Sequence, residues 1–502
     1  MVAATALRDS IVDDTRTVRG RHSDAPLAAA LEHYQTQHTV SFSTPGHKQG
    51  SSLEADIQRI LGKTVFDADV WLNAVDLDSS LLQAEELAAD AWGADAAFFL
   101  INGSSSGNHA LLLAQLQPGD EVILARDAHR SMLAGLIATG ATPVFVAPAL
   151  HPELGISTGV DPDDIALALD AHPNARLVVV TSPSYHGVAS DIATIARTAH
   201  QRDIPLYVDQ AWGAHLRFHP SLPVSAMEAG ADAAVISTHK TLSSLSQGAV
   251  LLIRGDRINT SRLQATVRMA QSSSRSLPVL LSLDTARRQM ALHGWALMEL
   301  TIALAARARA GLQSIPGIEV IDAGNLGLPS DRVDSTRLVI DTCGLGLDGF
   351  AAERILREEY GLAPEMSDLA GIVCLITIGD TRQSVDCLVN ALSRLSQETF
   401  DSTRQSTRST PRSVGKAIAP ADMALTPREA FFATSHSVPL PVAIGEIAAE
   451  LVVPYPPGIP VLVPGERIGW DKLMYLAEIS TRGARCAGAA DPRLLTLRVV
   501  SQ

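Results

Sequence analysis

The sequence predicts an α/β protein built on a mostly parallel sheet, and three observations carry that expectation. Between residues 95 and 255 short apolar runs alternate with helix-like stretches, the repetition that crossover connections between parallel strands require. The runs are apolar at every position rather than at every second one, as strands buried on both faces demand. The chain has 502 residues and 46% hydrophobic content, enough for two or three domains whose cores need no covalent staples.

The candidate strands of the first unit are 96–101 (AAFFLI), 121–125 (EVILA), 143–147 (PVFVA), 176–181 (RLVVVT), 205–209 (PLYVD), 232–236 (DAAVI) and 248–253 (GAVLLI). Stretches such as GNHALLLAQL and DIATIARTAHQ lie between them with helical spacing. Residues 285–312 read as one long helix leaving this domain, and IEVIDA, STRLVIDT and GIVCLITIG follow as strands of a smaller α/β segment. Residues 399–420 are rich in Ser, Thr and Arg and read as an exposed linker. The expected layout is an N-terminal extension (1–24), a large domain (25–312), a small α/β domain (313–398), the linker, and a C-terminal domain (421–502).

Composition narrows the function classes. The formal net charge of −14 argues against a general affinity for nucleic acid or anionic membrane. The four cysteines, Cys343, Cys374, Cys387 and Cys486, form no CxxC pair, so neither a disulfide framework nor a zinc site is expected. The N-terminus lacks the basic start and apolar stretch of a signal peptide, and no run of about 18 apolar residues could span a bilayer. A soluble, cytoplasmic protein is expected.

In parallel α/β sheets ligands bind at the carboxyl ends of the strands, and three such ends carry unusual residues. After AAFFLI comes NGSSSGN (102–108), running into a helix; glycines, hydroxyls and a positive helix end suit a phosphate. A polar turn with a capped helix is the plain alternative. After PLYV comes Asp209, a carboxylate that is costly at the end of a buried strand unless something pairs with it. After DAAVISTH comes Lys240, one of only five lysines among 40 basic residues. A partly desolvated lysine becomes a nucleophile able to form a Schiff base. Together the three match what pyridoxal phosphate requires: a phosphate cradle, a carboxylate that keeps the pyridine nitrogen protonated, and an amine for the aldehyde.

STPGHKQG (43–50), NGSSSGN, RDAHRS (126–131), VDQAWGAH (208–215), STHKTLSSLSQ (237–247) and YPPGIPVLVPGE (455–466), in this order, resemble the bacterial Orn/Lys/Arg decarboxylases. The resemblance covers roughly residues 25–480 and is to the short, biosynthetic form without an N-terminal wing domain. It implies a fold-type-I large domain binding pyridoxal 5'-phosphate. Lys240 would carry the cofactor, Asp209 would face its ring nitrogen and His129 would stack on the ring. Ser104, Ser105 and Ser237 would hold the phosphate, with Ala211 on the other ring face and Trp212 near the phenolic oxygen. His239 would reprotonate the product carbon. Ser272 would reach the phosphate from a neighbouring subunit, making a homodimer the minimum unit.

The resemblance further implies decarboxylation of arginine, lysine or ornithine to a diamine or agmatine, within polyamine biosynthesis. Glu466 is the candidate acid for a cationic substrate tail. Two departures bear on the substrate: Gln210 stands where many relatives have glutamate, and Arg275 replaces a proline near the expected subunit interface. Another pyridoxal-phosphate reaction, such as transamination or lyase chemistry, or a catalytically silent regulator, stays open on the residues alone. His215 and His219 are four apart but have no third ligand nearby, so no metal is expected.

Overall fold

Seven of the apolar runs become one sheet in the computed structural model, which describes residues 20–37, 40–70, 77–399, 419–455, 458–482 and 485–501. The first nine strands are β1 Ala96–Leu100, β2 Glu121–Ala125, β3 Thr142–Val146, β4 Ala149–Leu150, β5 Ser157–Gly159, β6 Leu177–Thr181, β7 Leu206–Asp209, β8 Ala233–Ile236 and β9 Ala249–Ile253. Spatial order in the large sheet is β1-β9-β8-β7-β6-β2-β3. The neighbours from β3 through β8 pair in parallel, and β9 alone runs against both its partners. Because β6, β7, β8 and β9 are buried at almost every position, their residues divide alternately between two cores. Val208 and Ile236 face one, Tyr207 and Val235 the other.

The long helix runs Leu277–Leu312, beginning eight residues before the expected 285. Pro278 sits in its first turn, where the missing N–H costs nothing. At roughly 1.5 Å per residue it spans about 54 Å. Its Leu277–Met298 part belongs to the large core, and its Leu304–Leu312 part to the core of a second sheet. That sheet comprises β10 Glu319–Ile321, β11 Arg337–Asp341, β12 Met366–Ser367 and β13 Gly371–Leu375, in the order β10-β11-β13-β12. All its pairings are antiparallel.

The C-terminal part carries the short strands β14 Ser435–Pro439, β15 Val453–Tyr455, β16 Arg485–Ala487 and β17 Thr496–Val500 and its own apolar cluster, while Val463 packs into the large domain's core. Most of the expected linker, including its basic 404–416 stretch, and residues 1–19 lie outside the described residues. No helix among the described residues is long and apolar enough to cross a membrane.

Candidate active site

The helix Gly103–Gln115 starts directly after β1, and its N-terminal residue Asn102 supplies no side-chain cap. The Gly103 N–H donates to the Gln247 carbonyl at 2.9 Å, but the next N–H groups of the first turn, with the half-buried Ser104 and Ser105, are available to an anion. The helix lies close on the sheet because residue 107 is glycine: a Cβ there would stand 2.7 Å from Leu100 Cδ1 and 3.0 Å from Val235 Cγ2.

One turn further, Asn108 is fully buried and organises the next groups. Its Nδ2 donates to Asp209 Oδ2 at 3.0 Å and to Ser131 Oγ at 2.8 Å, while its Oδ1 accepts from the Tyr207 hydroxyl. Tyr207 and Asp209 share a strand face because they are two residues apart on β7. Asp209 Oδ1 also accepts the Ala211 N–H at 3.1 Å. His129 caps the helix Arg130–Thr139, its Nδ1 accepting from the Ser131 N–H. Ser131 Oγ lies 2.8 Å from the same nitrogen and, having accepted from Asn108, donates to it. The proton of His129 therefore rests on Nε2. Burial is the main cause that brings His129 down to about 4, with Asp209 opposing and Lys240 assisting. The ring is neutral at ordinary pH and suited to stacking.

Lys240 follows β8 in a short helical turn. Its Nζ lies 3.8 Å from the ring centre of Trp212 and 6.0 Å from that of Tyr185, and these two rings are 5.0 Å apart. Burial lowers the amine to about 8; Asp209 and Glu365 pull it upward, and Arg337 pushes it further down. Next to it, His239 Nδ1 donates to the Gly248 carbonyl at 2.8 Å, which fixes the ring's orientation and leaves Nε2 for chemistry. Burial lowers this ring too.

The side chain of Ser237 is wholly buried and its Oγ has no hydrogen-bond partner among the described residues, a cost a protein rarely bears without a ligand. An unsatisfied hydroxyl, a bare helix start, a desolvated amine and a buried carboxylate fit a phosphorylated pyridine aldehyde. Lys240, Asp209, His129 and Trp212 act on one another in one chain, with Ala211 buried beside Trp212.

Ser272 and Arg275 are not part of this group. They line a separate cavity of about 550 Å³ with Glu85, Phe98 and Arg268, and Arg275 is paired with Asp78 at 3.0 Å. Gln210 is committed to backbone, donating to Gly213 O at 2.9 Å and accepting from Ala226 N. His215 bonds Asp334 at 3.1 Å and His219 bonds Glu299 at 2.8 Å. His47 and Lys48 close their own turn through Gly50 N and Ser43 O.

Glu466 requires correction. It is wholly buried and held by Arg126 at 3.0 Å and Lys472 at 2.7 Å, so it cannot meet a substrate tail. Its place in the YPPGIPVLVPGE motif suggested an acid for the substrate tail, but Gly465 (φ +94°) turns the chain inward. A Cβ there would meet Leu425 O at 2.2 Å.

The structure adds residues that motif reasoning missed. Arg337, from β11, lies 4.6 Å from the Trp212 ring centre and donates Nη2 to the Trp212 carbonyl at 2.9 Å. Asp334 holds it at 3.4 Å and also holds His215. Asn108 stood at the end of the NGSSSGN motif, and Tyr207 could have been found from its two-residue spacing to Asp209.

With this geometry in place, the comparisons with known proteins are specific. Residues 25–336 match the Orn/Lys/Arg decarboxylase major domain, and residues 414–490 match the C-terminal domain of the same family. A protein of Halalkalibacterium halodurans named arginine decarboxylase is 36% identical over 489 residues, covering 96% of this chain and 99% of its own. The arginine decarboxylase of Bacillus subtilis is also 36% identical, covering 95% and 98%. Among solved structures, the lysine decarboxylase LdcF of Francisella novicida superposes with a TM-score of 0.82 at 22% identity, over 95% of this chain and 81% of that one. That superposition supports the fold-type-I architecture.

Proposed function

The chain belongs to the Orn/Lys/Arg decarboxylase family, and we propose that within it the protein decarboxylates arginine with pyridoxal 5'-phosphate as cofactor. It is a decarboxylase of a basic amino acid. Arginine is favoured because the near full-length relatives at 36% identity are arginine decarboxylases, whereas the lysine decarboxylase LdcA of Pseudomonas aeruginosa matches at 25%.

The observation that carries the reading is Lys240: a desolvated amine beside Asp209 and over Trp212. When bound, the cofactor supplies an electron sink for the carbanion left as carbon dioxide departs. Ser104, Ser105 and the buried Ser237 Oγ would hold its phosphate. Asp209, oriented by Asn108 and the Ala211 N–H, would accept a hydrogen bond from the ring nitrogen and keep it protonated. The neutral His129 would cover one ring face and Ala211 the other, with Trp212 near the phenolic oxygen. Lys240 would offer the amine that anchors the cofactor and is freed when substrate arrives. His239, with its Nδ1–H tied to Gly248, would take up a solvent proton on the free Nε2 and pass that proton to the product carbon. The exposed Ser272 lies outside this set in its own chain, in keeping with a homodimer in which each copy lends it to the other. A cytoplasmic location agrees with four free cysteines.

Carbon dioxide release from arginine, lysine and ornithine, measured on the purified holoenzyme, tests this function. Lys240→Ala should abolish release from arginine and remove the site tagged by borohydride. Retention of either defeats the assignment, and keto-acid formation in place of carbon dioxide would make the protein an aminotransferase.

A further inference from the structure

The loop that carries Trp212 is held from outside the sheet that supports Lys240. Arg337, at the start of β11, is 2% exposed. Its Nε points to Asp334 at 3.4 Å, Nη2 donates to the Trp212 carbonyl at 2.9 Å, and the guanidinium carbon lies 4.6 Å from the Trp212 ring centre. Lys240 Nζ lies 3.8 Å from the same centre, so two cations meet on one indole. Asp334, wholly buried, also bonds His215 Nε2 at 3.1 Å, three residues after Trp212 in the same loop. Its N–H donates to the Gly187 carbonyl at 2.8 Å. That places it beside the loop of Tyr185, whose ring packs 5.0 Å from that of Trp212. Residue 187 is glycine for this contact: a Cβ there, at φ +84°, would stand 2.5 Å from Arg337 Cγ.

Stability alone does not account for this arginine. Its Nη1 is buried without an acceptor among the described residues, and a buried cation with an open donor is less favourable than an apolar chain of similar length. The guanidinium does what an apolar chain could not: it holds Trp212 at two points. One corner of its planar fork takes the backbone carbonyl, which fixes the peptide, while the cation lies within reach of the indole and selects its rotamer.

We propose that Arg337, clamped by Asp334, is a positioning residue: it fixes the Trp212 indole as the surface that aims the Lys240 amine; this rests on Lys240 being the cofactor's anchor. The second sheet thereby governs chemistry housed on the first. Three contacts converge on that role, since Asp334 ties down the Trp212 loop through His215, the Tyr185 loop through Gly187 and the guanidinium itself.

The test separates aim from charge. The rate at which full-length apoprotein captures pyridoxal 5'-phosphate has a pH midpoint, set by the charge on Lys240, and a plateau above it, set by how well the neutral amine is aimed. Arg337→Lys keeps a cation but loses the fork. It should leave the midpoint in place and lower the plateau about 10- to 100-fold. In the holoenzyme, kcat for carbon dioxide release from arginine should fall with it and KM should hold. In a Trp212→Phe background the same substitution should lower the plateau by less than about 3-fold, because no indole is left to place. Asp334→Asn, of the same shape, should give a smaller loss that also vanishes in that background. An unchanged plateau in Arg337→Lys, or equal losses in both backgrounds, would overturn the inference. So would failure of both variants to fold, which would make the pair a structural tie. A wild type that captures cofactor on Lys240 but releases no carbon dioxide from arginine, lysine or ornithine would defeat the decarboxylase reading alone, and the plateau would still decide the role of Arg337.

Discussion

At the scale of single residues the protein's main device is an amine that gives up its proton readily. A free lysine titrates near 10.4, so roughly one amine in 250 is neutral at pH 8. Lys240, brought to about 8 by burial and helped by Arg337, is half neutral there. The rate at which apoprotein captures pyridoxal 5'-phosphate should therefore climb with pH through a midpoint near 8 and level off above it. Arg337→Met removes a repelling cation and should move that midpoint upward; stopped-flow absorbance reads both. A midpoint near 10 in the wild type would mean that the pocket is wetter than its geometry implies. Asp209, His129 and Lys240 were legible in sequence because each follows a buried strand or stands in a motif there, and parallel strands bring their ends together. Arg337 and Glu365 were not, since they arrive from another sheet about 100 residues later, in runs with no unusual pattern. Glu466 misled for the same reason: its partner Arg126 lies 340 positions away.

At the scale of elements, every strand of the large sheet was readable, because all-apolar runs have little else to become. The reversal of β9 was not, as a strand buried on both faces has the same pattern in either direction. The start of the long helix was obscured by Pro278, whose place in a first turn looks like a break until the helix beyond it is seen. The contact between the Gly103–Gln115 helix and the sheet makes a sharper claim. Gly107→Val puts a branched side chain where even a Cβ stands 2.7 Å from Leu100, so the helix must lift or Leu100 must leave its rotamer. Overpacking of this kind costs about 1–3 kcal/mol. Since the first turn of the same helix would hold phosphate, cofactor affinity should fall with stability. Urea unfolding and equilibrium dialysis of the cofactor measure the two losses. A variant that loses stability with cofactor affinity intact would separate the cradle from this helix's seating.

At the scale of the whole molecule, a buried ionic cluster helps fasten the C-terminal unit to the large domain, beside the packing of Val463 and the bonds from Arg428 to the Ile137 and Ala138 carbonyls. Arg126 extends from the end of β2, three residues before His129, and donates to the carbonyls of Pro460 and Val461 at 2.6 and 3.1 Å and to both oxygens of Glu466. Lys472 approaches the same carboxylate. Two cations on one anion leave a surplus positive charge in the interior: burial and then Arg126 lower Lys472 to about 8, and Glu466 opposes them. An unfolded lysine titrates near 10.4, so between about 8 and 10.4 the unfolded chain binds more protons than the folded one. Stability from this group therefore rises with pH across that window, and the penalty is fully present below it. Glu466→Gln strips both cations of their counter-charge and should cost about 3–5 kcal/mol. Adding Lys472→Met removes one stranded charge, so the double variant should be more stable than Glu466→Gln alone, a coupling that independent sites would not produce. Because the anchor is so near His129, Glu466→Gln should also loosen the cofactor, visible as faster loss of its absorbance on dialysis. If instead the two substitutions simply add and the cofactor is held as before, the C-terminal unit merely rests against the domain that binds it, and the position of His129 is set by Ser131 and Asn108 alone.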